Sequence, residues 1–554
     1  MKYPDIFDSD ISRVGLAESR AYNIEAAILM AGMVKTSFGP RGMEKMYVDI
    51  IGEETITKHG GAFLRKIDVD HPAAKAVADA INTVDTHVGD GTITSAILLG
   101  SLLQKAQKLM ILKTPVSKVI RGFEMALQQA LTSLDEMAIK SNSQNYYNVV
   151  STSLRGTAMY NSLVDNTKLT NLIISAVRYV TDAGGHVDTD SIKIEEKMGN
   201  SADIQLIRGT VIDKPIDSSQ MPHTLRHVHV LLLNDPLEDT RTKTESSIEI
   251  TYPNQMATFA QQRNTDILDV VQKVIDSGAG LVISRKGINE LAQEQLARQG
   301  IASIRRVKYN DIWWLERSTG AKTCSSINDV SCNELGLADA VYQKTVGDDP
   351  MVFVEADVPS SVTLLLRATS KRYLDEFHRT ALNAVRSLQN FVEEPYVVYG
   401  GGSCEIKLAR KVRDWSYGIK GREQGAAEAF ADVLEEIPYT LAVNAGMDAL
   451  DTITILRSKS FVEPDQWWGI DAASRSVLPM RNVVDTCVVK RQALKTAVEA
   501  TNQILRVDDV FMKDIIDNTH CHIDGTVHAH KDPGRNHNHW EQEGLEQRQM
   551  HHYY

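Results

Sequence analysis

The sequence predicts a multidomain protein that combines α+β and α/β architecture, and three observations lead to this fold class. The chain has 554 residues, which is more than a single hydrophobic core normally organises. Its first third is dominated by apolar residues at helical spacing, with glycine-rich loops between the helical segments. From about Lys193 short apolar runs alternate with helical segments, which is typical of an α/β domain.

Charge and composition argue against several partners and locations. The net charge of −12 argues against nucleic acid or a membrane surface as partner, since the sequence shows no local basic patch. The first residues are acidic where a signal peptide needs an apolar segment, and no later run predicts a membrane span. The five cysteines are scattered without a CxxC pair, which suits reduced thiols. We therefore expect a cytoplasmic protein.

The first third contains predicted helices separated by glycine-bounded loops. Helix ends are indicated by glycine after the last apolar position and by proline at the first position of a helix. The predicted helices are Ser19–Thr36, Ala73–His87, Thr92–Met110 and Pro115 to about Ile139. Between them lie two short predicted strands, Glu44–Asp49 and Thr55–Thr57, and three loops, Ser37–Gly42, Lys58–Gly61 and Gly89–Thr94.

The loop Gly89–Thr94 has the residue types of a phosphate site. Its glycines let the backbone approach a ligand, and the first N–H groups of the following helix have no partner within that helix. Asp90 can hold a Mg²⁺ that bridges to phosphate oxygens, while Thr92 and Thr94 add hydroxyl donors. An ordinary Asp-Gly turn between two helices is the alternative for these six residues alone.

The middle of the chain predicts strands that alternate with helices. The strands are His227–Leu233, Gly280–Ser284, Ile301–Val307, Met351–Val354 and Val362–Leu366. One helix is predicted at Thr265–Ile275, with Thr265 as its cap and Gly278 as its end. The polar stretch Thr242–Arg263 fits no compact pattern, so we expect an exposed insertion there.

In the last third, helical spacing returns and a glycine triplet follows an extended run. The helices are Tyr373–Val392, Glu423–Ala445 and Lys490–Leu505, and the extended run is Pro395–Gly402. The triplet allows close approach to a ligand or forms a flexible turn. The segment after Asp517 holds eight of the sixteen histidines and few aliphatic residues, so it is expected to be disordered.

With these loops in view, the chain resembles a group II chaperonin subunit of the thermosome and TRiC family, as a divergent archaeal-type paralogue, from about Arg13 to Val510. Seven matching segments lie in the order of that family. They are SFGPRGMEKMYVD from Ser37, TITKHGGAFLRKIDVDHPAAK from Thr55, VGDGTIT from Val88, VGDDPMVFVEA from Val346, VVYGGGSCEIKLA from Val397, GREQGAAEAFADVLEEIPYTLAVNAGMDALDT from Gly421, and LRVDDV from Leu505.

The resemblance implies a three-domain subunit of a double ring that encloses unfolded polypeptide, with copies of itself or paralogous subunits as partners. A mainly helical equatorial domain, a small intermediate domain and an α/β apical domain with a helical protrusion are implied. The implied segments are 1–144 and 397–517 (equatorial), 145–210 and 361–396 (intermediate), 211–360 (apical, protrusion about 242–275) and 518–554 (histidine-rich tail).

The resemblance also implies that ATP and Mg²⁺ bind where the glycine loops meet. Asp90 matches the Mg²⁺ ligand. The implied ATP contacts are Ser37, Gly39, Pro40, Lys58, Gly91, Thr92, Ile93, Thr94, Gly401, Gly402, Asp471 and Asp485. Met256 and Phe259 are candidate contacts to unfolded polypeptide, although isolated apolar residues are as often simply packed.

Three departures from the family pattern concern hydrolysis. The family's TITNDGA motif carries an aspartate that positions the attacking water, and His59 stands in its place. A second water-positioning aspartate, in the family's HDAL-like helix, is matched to Thr380. A lysine near the γ-phosphate is replaced by Thr157, with Arg155 as a possible substitute.

These departures predict a subunit that binds ATP but hydrolyses it slowly or not at all. Loss of one well-placed general base typically costs about 10²–10⁴-fold in rate, whereas the backbone donors, hydroxyls and Asp90 remain for binding. The alternative is that a neutral His59 accepts the hydrogen bond from water and hydrolysis survives.

Two hypotheses of different classes follow from these observations. The first is an ATP-regulated chaperonin subunit, and the second is a non-hydrolysing structural or holding ring. An enzyme with a small-molecule substrate is a distant third. Tail residues with spacing suited to a divalent metal ion are His520, Cys521, His522, His528 and His530; the alternative is an inert hydrophilic tail.

Overall fold

The computed structural model of the protein describes residues 11–14, 16–141, 145–155, 157, 166–238, 253–327, 330, 333–508, 510–513, 519–521 and 527–529. The chain divides into two units, one formed by residues 1–23 and 505–554 and the other by Ile24–Ile504. In the part of the chain that is described, no helix is both long enough and apolar enough to cross a membrane.

The helices are numbered in chain order over these residues. They are α1 Leu16–Lys35, α2 Gly60–Lys66, α3 Pro72–His87, α4 Thr92–Ile111, α5 Val116–Met137, α6 Tyr146–Leu154, α7 Asn166–Val180, α8 Pro253–Asp276, α9 Glu290–Arg298, α10 Tyr309–Thr319, α11 Lys371–Glu393, α12 Ser403–Ser416, α13 Glu423–Ala445, α14 Ala449–Val462 and α15 Cys487–Arg506.

The strands are numbered in the same way. They are β1 Ile11–Val14, β2 Lys45–Val48, β3 Glu54–Thr57, β4 Ile139–Lys140, β5 Ile192–Met198, β6 Gln205–Ile207, β7 Gly209–Ile212, β8 Thr224–Leu233, β9 Leu281–Ser284, β10 Ala302–Ile304, β11 Thr323–Cys324, β12 Gly336–Val346, β13 Asp349–Glu355, β14 Val362–Ala368, β15 Tyr396–Tyr399, β16 Trp468–Asp471, β17 Ser476–Pro479, β18 Val484–Thr486, β19 Val510–Lys513, β20 Thr519–Cys521 and β21 Val527–Ala529.

A helical layer surrounds α13, whose alanine-rich faces allow neighbouring helices to approach closely. A Cβ on Gly122 of α5 would lie 2.5 Å from the Cβ of Ala426 on α13, so only glycine permits this contact. Phe123 and Phe430 are almost fully buried between the same two helices, with ring centroids 6.5 Å apart. The layer therefore gives a rigid support for the loops at the helix ends.

The α/β part is a seven-stranded mixed sheet with helices packed against it. The strand order is β10-β9-β8-β12-β13-β7, and β11 also pairs with β8. The pairs β8–β9 and β9–β10 are parallel, while β12 and β13 run antiparallel to their neighbours. Val230–Leu233 are fully buried, as expected for a strand covered on both faces.

A third core holds α11 in place. The sheet β5-β14-β6 packs against α6, α7 and α11. Phe377 and Phe391 of α11 are almost fully buried in this core, and the Ser370 side chain caps the helix by accepting the Tyr373 N–H. The opposite face of α11 is left to contact the loops of the helical layer.

The predicted helices and strands are confirmed with shifts of a few residues at their ends, with one exception. The helix expected at Thr265–Ile275 is part of the longer α8, so Thr265 is not a cap; its hydroxyl donates to the Gln261 carbonyl within the helix. Residues 242–252 of the expected protrusion lie outside the described residues. Met256 and Phe259 lie on α8, but their side chains are outside the described part of the structure.

Part of the histidine-rich tail differs from the expected disorder. Strands β20 and β21 form an antiparallel pair with His520 opposite His528, because their backbone groups satisfy one another across the ladder. His522 and His530 lie outside the described residues.

Candidate nucleotide site

A cavity of about 260 Å³ lies where the glycine loops of the helical layer meet. Nearly all site residues expected from the sequence line this one cavity. They are Ser37, Gly39, Pro40, Lys58, His59, Asp90, Gly91, Thr92, Ile93, Thr94, Gly401, Gly402, Asp471 and Asp485.

Two helix N-termini open onto the cavity, and neither has a side-chain cap. Gly91 precedes α4 with φ 81°, and Gly402 precedes α12 with φ 78°. Both values favour glycine, and a Cβ on Gly402 would lie 2.5 Å from the Cβ of Pro438. The uncapped N–H groups and the helix dipoles favour an anion in this space.

Asp90 lies between these helix ends. Its Oδ1 accepts the Gly91 N–H at 2.6 Å, while among the described residues Oδ2 accepts only the Ser387 hydroxyl at 3.5 Å. Burial raises the pKa of Asp90, and the nearby Asp485 raises it further. A bound cation would relieve both effects, as expected for a metal ligand.

A buried lysine, Lys490, forms ion pairs with two carboxylates beside the cavity. Lys490 Nζ lies 2.6 Å from Glu405 Oε1 and 2.8 Å from Asp485 Oδ2. Burial lowers the pKa of Lys490, but the two carboxylates raise it more strongly and leave it well above its usual value. Asp485 is therefore held by a permanent cation, and sequence reasoning missed Lys490.

Lys58 contributes a second cation to the wall. Its Nζ donates to the carbonyl oxygen of Gly39 at 2.7 Å, which places the ammonium group on the loop Ser37–Gly42. Burial lowers the pKa of Lys58 to about 8, although Glu44 and Glu376 oppose the shift. Lys58 is thus cationic at neutral pH but close to its titration range.

His59 is enclosed by side chains of α11. Its Nδ1 lies 2.9 Å from Asn383 Nδ2, and its Nε2 lies 3.3 Å from Thr380 Oγ1 and 3.6 Å from Glu376 Oε1. Glu376 also accepts the Lys58 backbone N–H at 3.1 Å and the Arg379 guanidinium at 3.0 Å. The loop and the helix are joined by these polar contacts.

The structure places Thr380 beside the cavity and Asn383 in its wall. Thr380 is 1% exposed and does not line the cavity, whereas Asn383 does. Residues three apart lie on the same side of a helix, so both can approach His59. Asn383 is the residue of α11 that meets the cavity beside His59, and the sequence analysis did not name it. The match of Thr380 to the family's second aspartate stays a prediction.

The remaining predicted residues lie at the cavity wall with their own partners. Asp471 accepts the Ser474 hydroxyl at 2.6 Å, and this hydrogen bond lowers its pKa. Arg155 and Thr157 both line the cavity, and the Thr157 hydroxyl donates to the Leu154 carbonyl at 2.7 Å. Arg155 lies at the wall, and its role as a substitute cation stays a prediction.

The arrangement fits a nucleotide with Mg²⁺. Ser37 is 2% exposed and lines the cavity, yet its Oγ has no hydrogen-bond partner among the described residues. A buried hydroxyl without a hydrogen-bond partner lowers the stability of the fold unless a ligand supplies that partner. Together with the uncapped helix ends and the weakly bonded Oδ2 of Asp90, it indicates a polyanion and a hard cation.

Comparison with known proteins agrees with this geometry. The model of the TCP-1/cpn60 chaperonin family matches residues 30–514. The chain belongs to this family. It is 37% identical over 512 residues to a thermosome subunit of Methanothermococcus thermolithotrophicus, covering 91% of this chain and 94% of the relative. It is 38% identical over 502 residues to a thermosome subunit of Methanopyrus kandleri, covering 89% and 92%.

Membership confirms the group II chaperonin fold expected from the sequence motifs. Thermosome subunit alpha of Archaeoglobus fulgidus is 37% identical over 503 residues, covering 89% of this chaperonin chain and 92% of the relative. The helical layer, the α/β sheet and the smaller third core are the parts of that fold.

Proposed function

We propose that this chaperonin subunit binds ATP with Mg²⁺ in the cavity, assembles into a double ring with copies of itself or paralogous subunits, and encloses unfolded polypeptide. We further propose that it hydrolyses ATP slowly or not at all. The residues that line the cavity fit a nucleotide, which supports ATP binding. The carboxylates of the described cavity wall are already paired or reserved for the metal, which supports slow hydrolysis.

Asp90 would hold the Mg²⁺, and the uncapped ends of α4 and α12 would hold phosphate oxygens. Thr92, Thr94 and Ser37 supply hydroxyls, and Lys58 supplies a cation at the loop Ser37–Gly42. Bound MgATP supplies the phosphoryl group whose transfer to water drives a chaperonin cycle. Hydrolysis requires that a side chain orient the water and accept its proton.

The observation that carries the proposal is that no carboxylate of the described cavity wall is free for this role. Asp485 is held by Lys490 and Asp471 by Ser474, while Asp90 is the metal ligand. The resemblance matches the family's two water-directing aspartates to His59 and Thr380, and neither of these is a carboxylate. The side chain of His59 contacts Asn383 of the cavity wall instead.

The experiment has two parts on the purified protein. Equilibrium binding of MgATP is measured by titration calorimetry, and suppression of aggregation of a chemically denatured protein is measured by light scattering. We expect ATP binding and suppression of aggregation. Absence of ATP binding would contradict the nucleotide site, and unsuppressed aggregation would contradict the chaperone function.

The lowered pKa of Lys58 predicts a pH-dependent affinity for ATP. Below about pH 8 the protonated side chain attracts phosphate, and above it the neutral amine does not. We expect ATP affinity to fall up to about tenfold between pH 7 and pH 9. Lys58→Arg keeps its charge and should remove this dependence in calorimetric titrations; an equal pH dependence in both proteins would refute the role of Lys58.

Ring assembly is supported by an apolar hairpin. Strands β2 and β3 form a two-stranded pair whose connection exposes Ile50 (103%) and Ile51 (81%), next to the exposed Val48 and Met46. A neighbouring subunit that covers this surface would remove a substantial apolar area from water. The name "subunit" of the thermosome relatives agrees with such a neighbour.

Ile50→Asp/Ile51→Asp should therefore shift the assembly toward single subunits, since buried carboxylates oppose the contact. Sedimentation velocity measures the mass. Val358→Asp is the control, because Val358 is 87% exposed in a different part of the chain. A ring that survives the double substitution would contradict the role of the hairpin.

We also propose the three-domain division given by the family resemblance, with the boundaries stated above. The separate cores around the β8 sheet and around α11 support it. A holding ring that never hydrolyses ATP is the second candidate, and the contact between His59 and Asn383 favours it. Metal binding by the tail stays a prediction.

A further inference from the structure

Two residues of the candidate nucleotide site, His59 and Asn383, are joined by a direct hydrogen bond, and the partners of His59 determine its chemistry. An imidazole can orient water for attack only through a nitrogen that carries a free lone pair. The state of both ring nitrogens of His59 therefore decides whether it can replace the lost aspartate.

The Nε2 side of the ring faces acceptors. Glu376 Oε1 lies 3.6 Å away, and this carboxylate already accepts the Lys58 N–H and the Arg379 guanidinium, so it acts as an acceptor only. The Thr380 hydroxyl at 3.3 Å can also accept. A proton on Nε2 is favoured beside them, and the neutral ring then keeps its lone pair on Nδ1.

The Nδ1 side meets Asn383 at 2.9 Å. A lone pair on Nδ1 requires a donor, which the Asn383 amide supplies through its NH₂ group. The lone pair is thereby occupied. When the ring is protonated, Nδ1 carries a proton and has no lone pair either, so neither charge state of His59 presents an acceptor to the cavity.

We propose that Asn383 is a positioning residue that keeps His59 from acting as a general base: its amide donates to the one lone pair through which His59 could accept a proton from water. This inference rests on the proposed ATP site and names the residue that prevents hydrolysis there. The Thr380 hydroxyl at 3.3 Å and the negative charge of Glu376 at 3.6 Å act with Asn383 by favouring the proton on the opposite nitrogen.

The test is the rate at which diethyl pyrocarbonate modifies His59, because this reagent reacts with the free lone pair of a neutral imidazole. The full-length protein is treated without nucleotide, and peptides are quantified by mass spectrometry. We expect slow modification of His59 in the unaltered protein and about tenfold faster modification in Asn383→Ala, since one hydrogen bond to Nδ1 is lost. Asn383→Leu fills the space without a donor and should behave alike.

Asn390→Ala is the matched control. Asn390 lies two turns further along α11, and its amide donates to the Val88 carbonyl at 2.8 Å rather than to a histidine. We expect unchanged His59 modification in this variant. Equal rates in the unaltered protein, Asn383→Ala and Asn383→Leu would overturn the proposal, as would equal acceleration by Asn390→Ala.

Calorimetry of ATP binding on the same samples distinguishes the two failures. If ATP binds but the Asn383 variants leave His59 modification unchanged, Asn383 does not block the lone pair of His59, and the proposed nucleotide site stands. If His59 becomes reactive but no ATP binds, the hydrogen bond is established and the proposed function fails.

Discussion

Replacing both His59 and Asn383 with aspartate should raise the steady-state rate of ATP hydrolysis by about 10²–10⁴-fold, because two carboxylates would then face the cavity as acceptors for water. In the unaltered protein the Asn383 Nδ2 and His59 Nδ1 atoms form a hydrogen bond of 2.9 Å. Two ionised aspartates cannot form that hydrogen bond, and their oxygens would be available to water instead. Phosphate release per subunit measures the gain.

The control for this experiment is His59→Asp combined with Thr380→Asp. Thr380 is 1% exposed and outside the cavity wall, and a carboxylate there would be buried near Glu376, which favours its protonated form and weakens it as an acceptor. We expect no comparable gain. Equal rates for the two double variants would show that Asn383 does not occupy the second water-side position.

Asp90→Ala should lower MgATP affinity roughly hundredfold, because it removes the carboxylate that would hold Mg²⁺ between the ends of α4 and α12. The raised pKa of Asp90 also predicts that the Mg²⁺-dependent affinity varies with pH. Its protonation competes with Mg²⁺, so the Mg²⁺-dependent affinity of the unaltered protein should decrease as pH falls toward that pKa, at higher pH than for an ordinary aspartate.

The internal control is the same titration in excess chelator. Without Mg²⁺, Asp90→Ala should bind ATP at least as tightly as the unaltered protein, since backbone donors and hydroxyls are unchanged and a carboxylate that repels phosphate is removed. If the substitution left the Mg²⁺-dependent share of the affinity intact, Asp90 would not be the metal ligand.

Part of the candidate nucleotide site could be predicted from the sequence because its glycine loops are local signals, while Asp471 and Asp485 were named from the family resemblance. Glycines before helices, as at Gly91 and Gly402, mark backbone conformations that other residues rarely adopt, and their function depends on a few neighbouring residues. The helices of the first and last thirds were also predictable, since apolar spacing within one helix is a local signal.

What the sequence could not supply depends on contacts between distant segments. Thr380 and Asn383 are neighbours on α11, and only the packing of that helix against the loop of His59 shows which one reaches the cavity. The pairing of Lys490 with Glu405 joins residues 85 positions apart. The 11-residue strand β12 was also missed, because its burial alternates irregularly.

The most direct test of the central claim is the fate of bound ATP in a single turnover. Radiolabelled ATP is mixed with excess unaltered protein and Mg²⁺, and the nucleotide retained by the protein is identified after acid quenching at successive times. We expect bound nucleotide to be recovered as ATP over many minutes, while the His59→Asp/Asn383→Asp protein yields ADP and phosphate. Rapid conversion of bound ATP to ADP in the unaltered protein would contradict it.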